Sequence, residues 1–239
     1  MVFYGLIYFV QNALKRLGQQ IERKTVLVSG SGNVAQYAIE KAMTLGALVL
    51  TASDSGGTVI DEQGFTPEKL ALLMEIKNHH RGRVSDYAER IGARFEPDAR
   101  PWKVPVDVAL PCATQNELDA LDAAALIANG VLCVAEGANM PSTIEAAKAF
   151  EAADVLYAPG KASNAGGVAT SGLEMSQNAA RLSWPREEVD LRLRQIMSGI
   201  HRACLEHGRD ATGRVSYLTG ANVAGFVKVA DAMRAQGVV

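Results

Sequence analysis

The segment TVLVSGSGNVAQYAIEKAMTL, residues 25–45, decides the fold because it joins a short strand, a glycine turn and an amphipathic helix. Residues 26–28 form an apolar run that is typical of a parallel strand covered on both faces. The GxGxxA motif at 30–35 allows a tight turn, a close backbone approach to a pyrophosphate and close helix packing. Because the helix directs its free N–H groups and its positive dipole end at the turn, the segment predicts a dinucleotide site. Enzymes that bind S-adenosylmethionine use a related turn, and that alternative stays open at this point.

The composition excludes several classes of protein. Of the 239 residues, 48% are hydrophobic and 21% are charged, which suits a globular chain with a sizeable core. The net charge of -2 provides no basic field for nucleic acid, and no apolar run reaches the roughly 20 residues of a membrane span. The cysteines lack a CxxC pair and are typical of reduced, buried thiols: Cys112, Cys133 and Cys204. We therefore expect a cytoplasmic protein that binds neither nucleic acid nor membrane.

Short apolar runs alternate with helical periodicity through the first two-thirds of the chain. A helix is predicted over 3–17, ended by Gly18. Strands are predicted over 26–28, 48–52, 58–60, 94–96, 106–110, 131–135 and 155–158. The helices between them are expected at 33–45, 67–77, 84–91, 121–128 and from Pro141 to about 152. From Gly166 the pattern is helical only, over 166–182, 185–207 and 220–236.

This alternation predicts an α/β fold, a doubly wound Rossmann-like sheet with helices on both faces and a helical carboxyl-terminal segment. We expect a lead-in helix within residues 1–18 and a dinucleotide-binding core over 19–160. Residues 161–239 are expected to pack on that core.

Four loops at the carboxyl ends of predicted strands carry small or amide residues. They are GSGN at 30–33, SDSGG at 53–57, PCATQ at 111–115 and EGAN at 136–139. In an open parallel sheet the ligand lies across these loops. A flat cofactor needs backbone access and amide hydrogen bonds there more than bulk, so the loops predict where it binds.

The choice between NAD and NADP is left open by the residues alone. Asp54 lies about 20 residues after the glycine turn, where an acidic residue commonly binds the ribose 2′-OH and favours NAD. Ser53 is small, however, and leaves room for a 2′-phosphate if a cation such as Lys77 or a protonated His80 comes near. Alternatively, Asp54 is a helix or turn cap and Lys77 is a solvated surface charge.

Five blocks of sequence together resemble the carboxyl-terminal dinucleotide domain of NADP-dependent bacterial glutamate dehydrogenases. They are SGSGNVAQYAIEKA, TASDSGGTV, LPCATQNEL, VAEGANMP and APGKASNAGGVATSGLEMSQNAARL, and the resemblance runs from about residue 4 to 239. It implies oxidative deamination of L-glutamate to 2-oxoglutarate and ammonia, and the reverse amination. Hydride would be exchanged with NADP, and NAD is the less favoured cofactor.

The resemblance also implies roles for the residues that follow the strands. The pyrophosphate would lie on the glycine turn, formed by Gly30, Ser31, Gly32, Asn33 and Val34. The adenosine ribose and its 2′-phosphate would be surrounded by Ser31, Ser53, Asp54 and Lys77. The cofactor channel and the nicotinamide end would be lined by Ala113, Thr114, Asn139 and Asn164, and the substrate side chain by Val168 and Ser171. Alternatively, the two asparagines cap the helices that follow them and Val168 belongs to the core.

In the resembled family the catalytic lysine and aspartate lie on a separate amino-terminal domain, and nothing in this sequence matches them. The four histidines show no spacing of a metal site or a triad, so no catalytic residue and no metal site is assigned. We expect a truncated chain that is inactive alone and needs the missing domain. A stand-alone NADP(H)-binding module, a non-catalytic product and a piece of a related amino-acid dehydrogenase remain alternatives. Full-length relatives form homo-oligomers, and the state of this chain stays open.

Overall fold

The computed structural model describes residues 4–237, and its strands form two sheets. In chain order the strands are β1 (Thr25–Val28), β2 (Leu48–Val49), β3 (Thr51–Asp54), β4 (Gly57–Ile60), β5 (Arg94–Pro97), β6 (Val108–Leu110), β7 (Cys133–Ala135) and β8 (Leu156–Ala158). Five of them make a parallel sheet in the order β2-β1-β6-β7-β8, and the others make an antiparallel sheet in the order β3-β4-β5.

The helices connect these strands and then follow the last one. They are α1 (Tyr4–Arg16), α2 (Asn33–Thr44), α3 (Pro67–Met74), α4 (Val84–Ile91), α5 (Ala120–Ala128), α6 (Ile144–Ala152), α7 (Gly160–Ser163), α8 (Gly166–Ala180), α9 (Arg186–Gly208) and α10 (Tyr217–Gln236). A π-helical turn, Glu75–His79, continues α3, and a 3-10 turn, Pro101–Lys103, precedes β6. No helix within residues 4–237 is long and apolar enough to cross a membrane.

The central strands of the parallel sheet are buried on both faces, which explains why they are almost entirely apolar. Val26 and Val28 of β1 belong to one hydrophobic cluster, whereas Leu27 points into a second cluster on the opposite face. The first cluster includes α1 and α2, and the second includes Trp102 and Phe150. The predicted α/β fold, with helices on both faces of a parallel sheet, is therefore confirmed.

Helix α1 lies inside the protein rather than on its surface. Residues 4–10 are all buried, and the helix contacts α2, α9 and β7. Its first turn approaches the start of α8 so closely that a Cβ atom on Gly5 would lie 2.6 Å from the Cα atom of Gly166. Only a pair of glycines permits this backbone contact.

Several sequence predictions differ from the structure. The last helix, expected from Gly220, begins at Tyr217, because the Ser216 hydroxyl accepts a hydrogen bond from the Thr219 N–H group and caps it there. The strand expected at 48–52 splits in two, because the chain leaves the parallel sheet after Val49 and pairs antiparallel with β4. The helix expected from Pro141 begins at Ile144, because the Thr143 hydroxyl accepts a hydrogen bond from the Ala146 N–H group and caps it there. The helix expected over 67–77 becomes π-helical at Glu75. Residue 3 of the predicted lead-in helix lies outside the described residues.

The contact between α1 and α8 generates a prediction. We expect Gly5→Ala to lower the free energy of unfolding by about 1–3 kcal/mol, because the added methyl group overpacks two backbones. The check is urea unfolding followed by circular dichroism. Gly172→Ala is the control, since a Cβ atom there meets nothing within 4 Å and alanine favours the helix. Equal stability of the two variants would contradict the prediction.

Candidate functional site

Two of the clefts at the carboxyl edge of the parallel sheet adjoin each other. The first cleft, of about 830 Å³, extends from the glycine turn to the loop after β6. The second cleft, of about 580 Å³, extends from that loop to the start of α8. The clefts share Val34 and residues 112–115, so they form one groove with a common wall. Every predicted site residue except Lys77 lines one cleft or the other.

The glycine turn has the shape that its sequence predicts. Gly30 has φ +83°, and a Cβ atom on it would lie 3.0 Å from the Cys112 carbonyl oxygen. Gly32 is the N-cap of α2 and has open space above it. Because glycine has no side chain to cap the helix, the first N–H groups of α2 remain available to an anion in the first cleft.

Ser53 holds the glycine turn rather than standing free in the cleft. Its hydroxyl accepts a hydrogen bond from the Gly30 N–H group at 2.8 Å, and its own N–H group donates to the Gly30 carbonyl at 3.0 Å. The residue is 7% exposed. Ser53 therefore fixes the end of β1 against β3, a role that the sequence analysis did not predict.

Gln36 is a second residue that the sequence analysis missed. It is fully buried, and its side-chain amide donates to the Ser31 carbonyl at 2.8 Å. The same amide pairs reciprocally with the amide of Asn78, with both N–O distances at 3.1 Å. A glutamine on the mostly apolar buried face of α2 is the available signal, because a buried amide needs partners.

Asp54 lines the first cleft, but its carboxylate is already occupied. It accepts hydrogen bonds from Gly56 N–H at 2.9 Å, from Val84 N–H at 3.0 Å and from the Lys77 ammonium at 3.0 Å. Burial acts to raise the pKa of Asp54, but these donors outweigh it and lower the pKa. Asp54 is therefore a cap for α4 and an ion-pair partner.

Lys77 and His80 are not placed as the sequence analysis expected. The Lys77 ammonium lies against Asp54 and the Gly82 carbonyl, and Lys77 is absent from the lining of both clefts. His80 is exposed and pairs with Glu75 at 3.3 Å. The π-helical turn explains the placement of Lys77, because it directs that side chain toward the end of β3.

A different cation, Arg83, lies beside the outer end of the first cleft, next to Ser55 but not itself among the lining residues, which include Arg100. Arg83 precedes α4, is exposed, and donates through Nη1 to the Ser55 hydroxyl at 2.6 Å. Ser55 lines the cleft. Arg83 could not be predicted from the sequence, because only the fold of the second sheet brings the start of α4 beside the β3-β4 turn.

At the inner end of the groove, two asparagines meet. The Asn164 amide donates to Asn139 Oδ1 at 3.1 Å and to the Ala138 carbonyl at 3.2 Å, so its side chain does not cap α8. Beneath them, the buried Glu136 carboxylate accepts hydrogen bonds from the Tyr157 hydroxyl and the Gly160 N–H group, at 2.6 and 2.7 Å. Glu136 therefore joins the loops after β7 and β8 that carry the two amides.

Helix α8 borders the second cleft through Val168 and Ser171, one turn apart on the same face. Val168 is 79% exposed, so its alternative assignment to the core is wrong.

Cys112 is the ionisable residue that lines this cleft, and burial raises the pKa of its thiol well above the ordinary value. The described lining of the second cleft is thus neutral and rich in amides. Among residues 4–237 no group of histidines, cysteines and carboxylates is arranged to hold a metal ion.

The parallel sheet, the glycine turn and the grooves at the carboxyl ends of the strands define a Rossmann-like α/β domain. The comparison with family models is more specific. The chain belongs to the Glutamate/Leucine/Phenylalanine/Valine dehydrogenase family, whose model matches residues 1–237. This finding confirms the family resemblance seen in the sequence.

Individual relatives agree with the family assignment. The chain is 66% identical over 236 residues to an NADP-specific glutamate dehydrogenase of Salmonella typhimurium and 65% identical over 236 residues to that of Escherichia coli. Each alignment covers 99% of this chain and 53% of the relative. A solved glutamate dehydrogenase of Plasmodium falciparum has a TM-score of 0.96 at 46% identity, covering 100% of this chain and 51% of that one. The chain therefore spans about half the length of the curated relatives it matches.

The contacts of Asp54 generate a prediction about pH. Because the folded-state pKa is lowered, the carboxylate stabilises the fold above its unfolded pKa of about 4, and this contribution is lost as the pH falls through the folded value. Asp54→Asn mimics the protonated form. At pH 7 we expect it to lower the free energy of unfolding by about 1–3 kcal/mol.

The difference between Asp54→Asn and the unmodified chain should shrink as the pH is lowered below about 4. Urea unfolding at a series of pH values measures it. Asp231→Asn, at an exposed position on α10, serves as the control and should change little at any pH. A difference for Asp54→Asn that stays constant with pH would contradict the prediction.

Proposed function

We propose that this chain binds NADP(H) and acts as the cofactor-binding part of a glutamate dehydrogenase. The reaction is the oxidative deamination of L-glutamate to 2-oxoglutarate and ammonia, together with the reverse amination. The observation that carries the proposal is the continuous groove from Ser55, past the glycine turn, to Asn139 and Asn164. A dinucleotide is the ligand class that needs an anion site in the middle and polar sites at both ends.

The residues of the first cleft fit the phosphate groups of such a cofactor. Gly32 would leave the N–H groups at the start of α2 to the pyrophosphate, with Ser31, Asn33 and Val34 beside it. Gly30 would bring the backbone close, since its positive φ and its contact with residue 112 exclude a side chain.

The charges near Asp54 support NADP over NAD. A carboxylate that selects NAD has to be free to accept hydrogen bonds from the ribose hydroxyl groups. Asp54 is instead paired with Lys77 and hydrogen-bonded to α4, while Arg83 and Ser55 add a cation and a hydroxyl at the same end. We propose that Arg83 and Ser55 bind the 2′-phosphate, and that Lys77 acts through its neutralisation of Asp54. The names of the similar enzymes, which are NADP-specific, support this choice.

The second cleft suits the nicotinamide end. When bound, the nicotinamide supplies hydride transfer. Ala113 and Thr114 would line its path, and Asn139 and Asn164 would offer amide groups to it. Val168 and Ser171 would border the substrate side chain at the edge of the cleft.

Proton transfer during the reaction would be carried out by groups that do not line the second cleft. Apart from the buried Cys112 thiol, the described residues that line this cleft contain no ionisable side chain. Deamination requires general acid and base groups near the substrate. We therefore propose that residues 19–160 bind the cofactor, that residues 161–239 present α8 to the substrate, and that the catalytic groups belong to a second domain. The same observation favours a second candidate function, a binding module for NADP(H).

Cofactor selectivity is the first test. We expect purified chain to bind NADPH more tightly than NADH, as measured by fluorescence of the reduced nicotinamide. Arg83→Ala should weaken NADPH binding about tenfold or more, because a charge-assisted contact to the 2′-phosphate is lost, and should leave NADH binding within about twofold. Arg90→Ala, at an exposed position on α4, is the control. Absence of NADPH binding by the unmodified chain would overturn the proposed function.

Turnover is the second test. We expect no glutamate-dependent reduction of NADP by the purified chain, because the second cleft lacks proton-transfer groups among its described residues. The change in absorbance of the reduced nicotinamide measures it, with a full-length relative as the positive control. Appreciable turnover by the chain alone would contradict the assignment of catalysis to another domain.

A further inference from the structure

The loop after β6 is the wall that both clefts share. Residues 112–115 line the first cleft on one side and the second cleft on the other. A ligand that extends through the whole groove has to cross this loop. The shape of the loop therefore matters for binding, although it has no regular secondary structure to maintain it.

A buried carboxyl group holds the loop in place. Glu117 Oε1 accepts hydrogen bonds from the Ala113 N–H group at 2.9 Å and from the Thr114 N–H group at 3.3 Å. Glu117 is 9% exposed, whereas Ala113 and Thr114 are exposed in the clefts. Without this acceptor, two backbone donors in the wall that both clefts share would lose their protein partner.

The loop is also connected to the glycine turn beside this carboxyl group. The Ser29 hydroxyl, which acts to lower the pKa of Glu117, accepts a hydrogen bond from the Cys112 N–H group at 2.8 Å. Ser29 directly precedes Gly30. The Glu117 main-chain carbonyl also accepts hydrogen bonds, from Trp102 Nε1 at 3.0 Å and from Arg100 Nη1 at 3.1 Å.

The charge of Glu117 has the wrong sign to attract the cofactor. Burial raises its pKa, and the hydrogen bonds from Ala113, Ser29 and Thr114 and the charge of Arg100 only partly offset this. The Cys112 thiol, which also lies beside it, has a raised pKa and is neutral. A carboxylate beside a site for a diphosphate opposes anion binding. Its contribution to binding must therefore come from the hydrogen bonds that it accepts.

We propose that Glu117 is a positioning residue of the cofactor groove, whose carboxyl oxygen holds the Ala113 and Thr114 amides so that a dinucleotide can cross from the first cleft to the second. The inference rests on the proposed binding of NADP(H). Under this proposal, the position of the Glu117 carboxyl oxygen as a hydrogen-bond acceptor matters for binding, and its negative charge does not. Substitutions that change one of these properties and keep the other can distinguish them.

The experiment compares three variants by NADPH fluorescence titration at pH 7. Glu117→Gln keeps an oxygen acceptor at the same reach and removes the charge, so its affinity should stay within about threefold of the unmodified chain or exceed it. Glu117→Asp keeps the charge but is one methylene shorter, so it should bind about tenfold or more weakly. Glu117→Ala should weaken binding at least as much as Glu117→Asp.

Asp107 provides the matched control. Its carboxylate accepts hydrogen bonds from the Thr25 N–H and hydroxyl groups, at 2.9 and 3.0 Å, and so joins β1 and β6 at the opposite edge of the sheet. Asp107→Ala should lower stability without changing NADPH affinity. Thermal unfolding of every variant identifies any that fails to fold. If Glu117→Ala does so, the comparison of Glu117→Gln with Glu117→Asp decides the question.

The outcomes separate the two proposals. Failure of the unmodified chain to bind NADPH overturns the proposed function. If that chain binds and Glu117→Asp binds equally well, the positioning role of Glu117 is overturned. Equal weakening of Glu117→Gln and Glu117→Asp also overturns it, since the charge or the exact side chain would then be required. Retained affinity in Glu117→Gln with loss in Glu117→Asp supports it.

Discussion

The rest of the groove depends on the close contact between the glycine turn and the loop after β6. Gly30 lies against the Cys112 carbonyl on one side and exchanges two hydrogen bonds with Ser53 on the other. The contact brings the ends of β1, β3 and β6 together, and the clefts form around it. A larger residue at 30 would meet both a strained positive φ and close contact with the backbone of residues 112 and 113. The alternation of strands and helices thus matters here chiefly because it brings these three ends together.

The elements that depend on local sequence could be predicted, and those that depend on long-range pairing could not. Apolar runs and helical periodicity were sufficient for β1, α2 and α4, and the glycine turn was visible from its spacing. The antiparallel sheet was missed, because a short apolar run does not reveal the direction in which it pairs. The four cleft loops were predicted because they directly follow strands, whereas Asn164, Val168 and Ser171 came only from the family resemblance. Gln36 and Arg83 were missed because their partners Asn78 and Ser55 are distant in sequence. The partners of Glu117 are near in sequence, but its role depends on the conformation of the loop that it holds.

The groove separates the task of holding the backbone from the task of meeting a ligand. Buried polar groups such as Gln36, Ser53, Glu117 and Glu136 bind main-chain N–H and carbonyl groups and fix the loops. Because the loops are fixed from beneath, the exposed residues at their tips are held in place before a ligand arrives. Such a division suits a site that must be preorganised, since ordering a flexible loop at the time of binding would reduce affinity.

The π-helical turn Glu75–His79 links two parts of the groove that are otherwise unrelated. Adjacent residues on this turn, Lys77 and Asn78, bind Asp54 at the end of β3 and Gln36 behind the glycine turn. A π-helical turn contains one residue more than the α-helical turn it replaces. Deleting one residue there would restore regular winding and rotate both side chains away together. Insertions and deletions in α3 are consequently constrained by the ligand groove, even though the helix itself lines neither cleft.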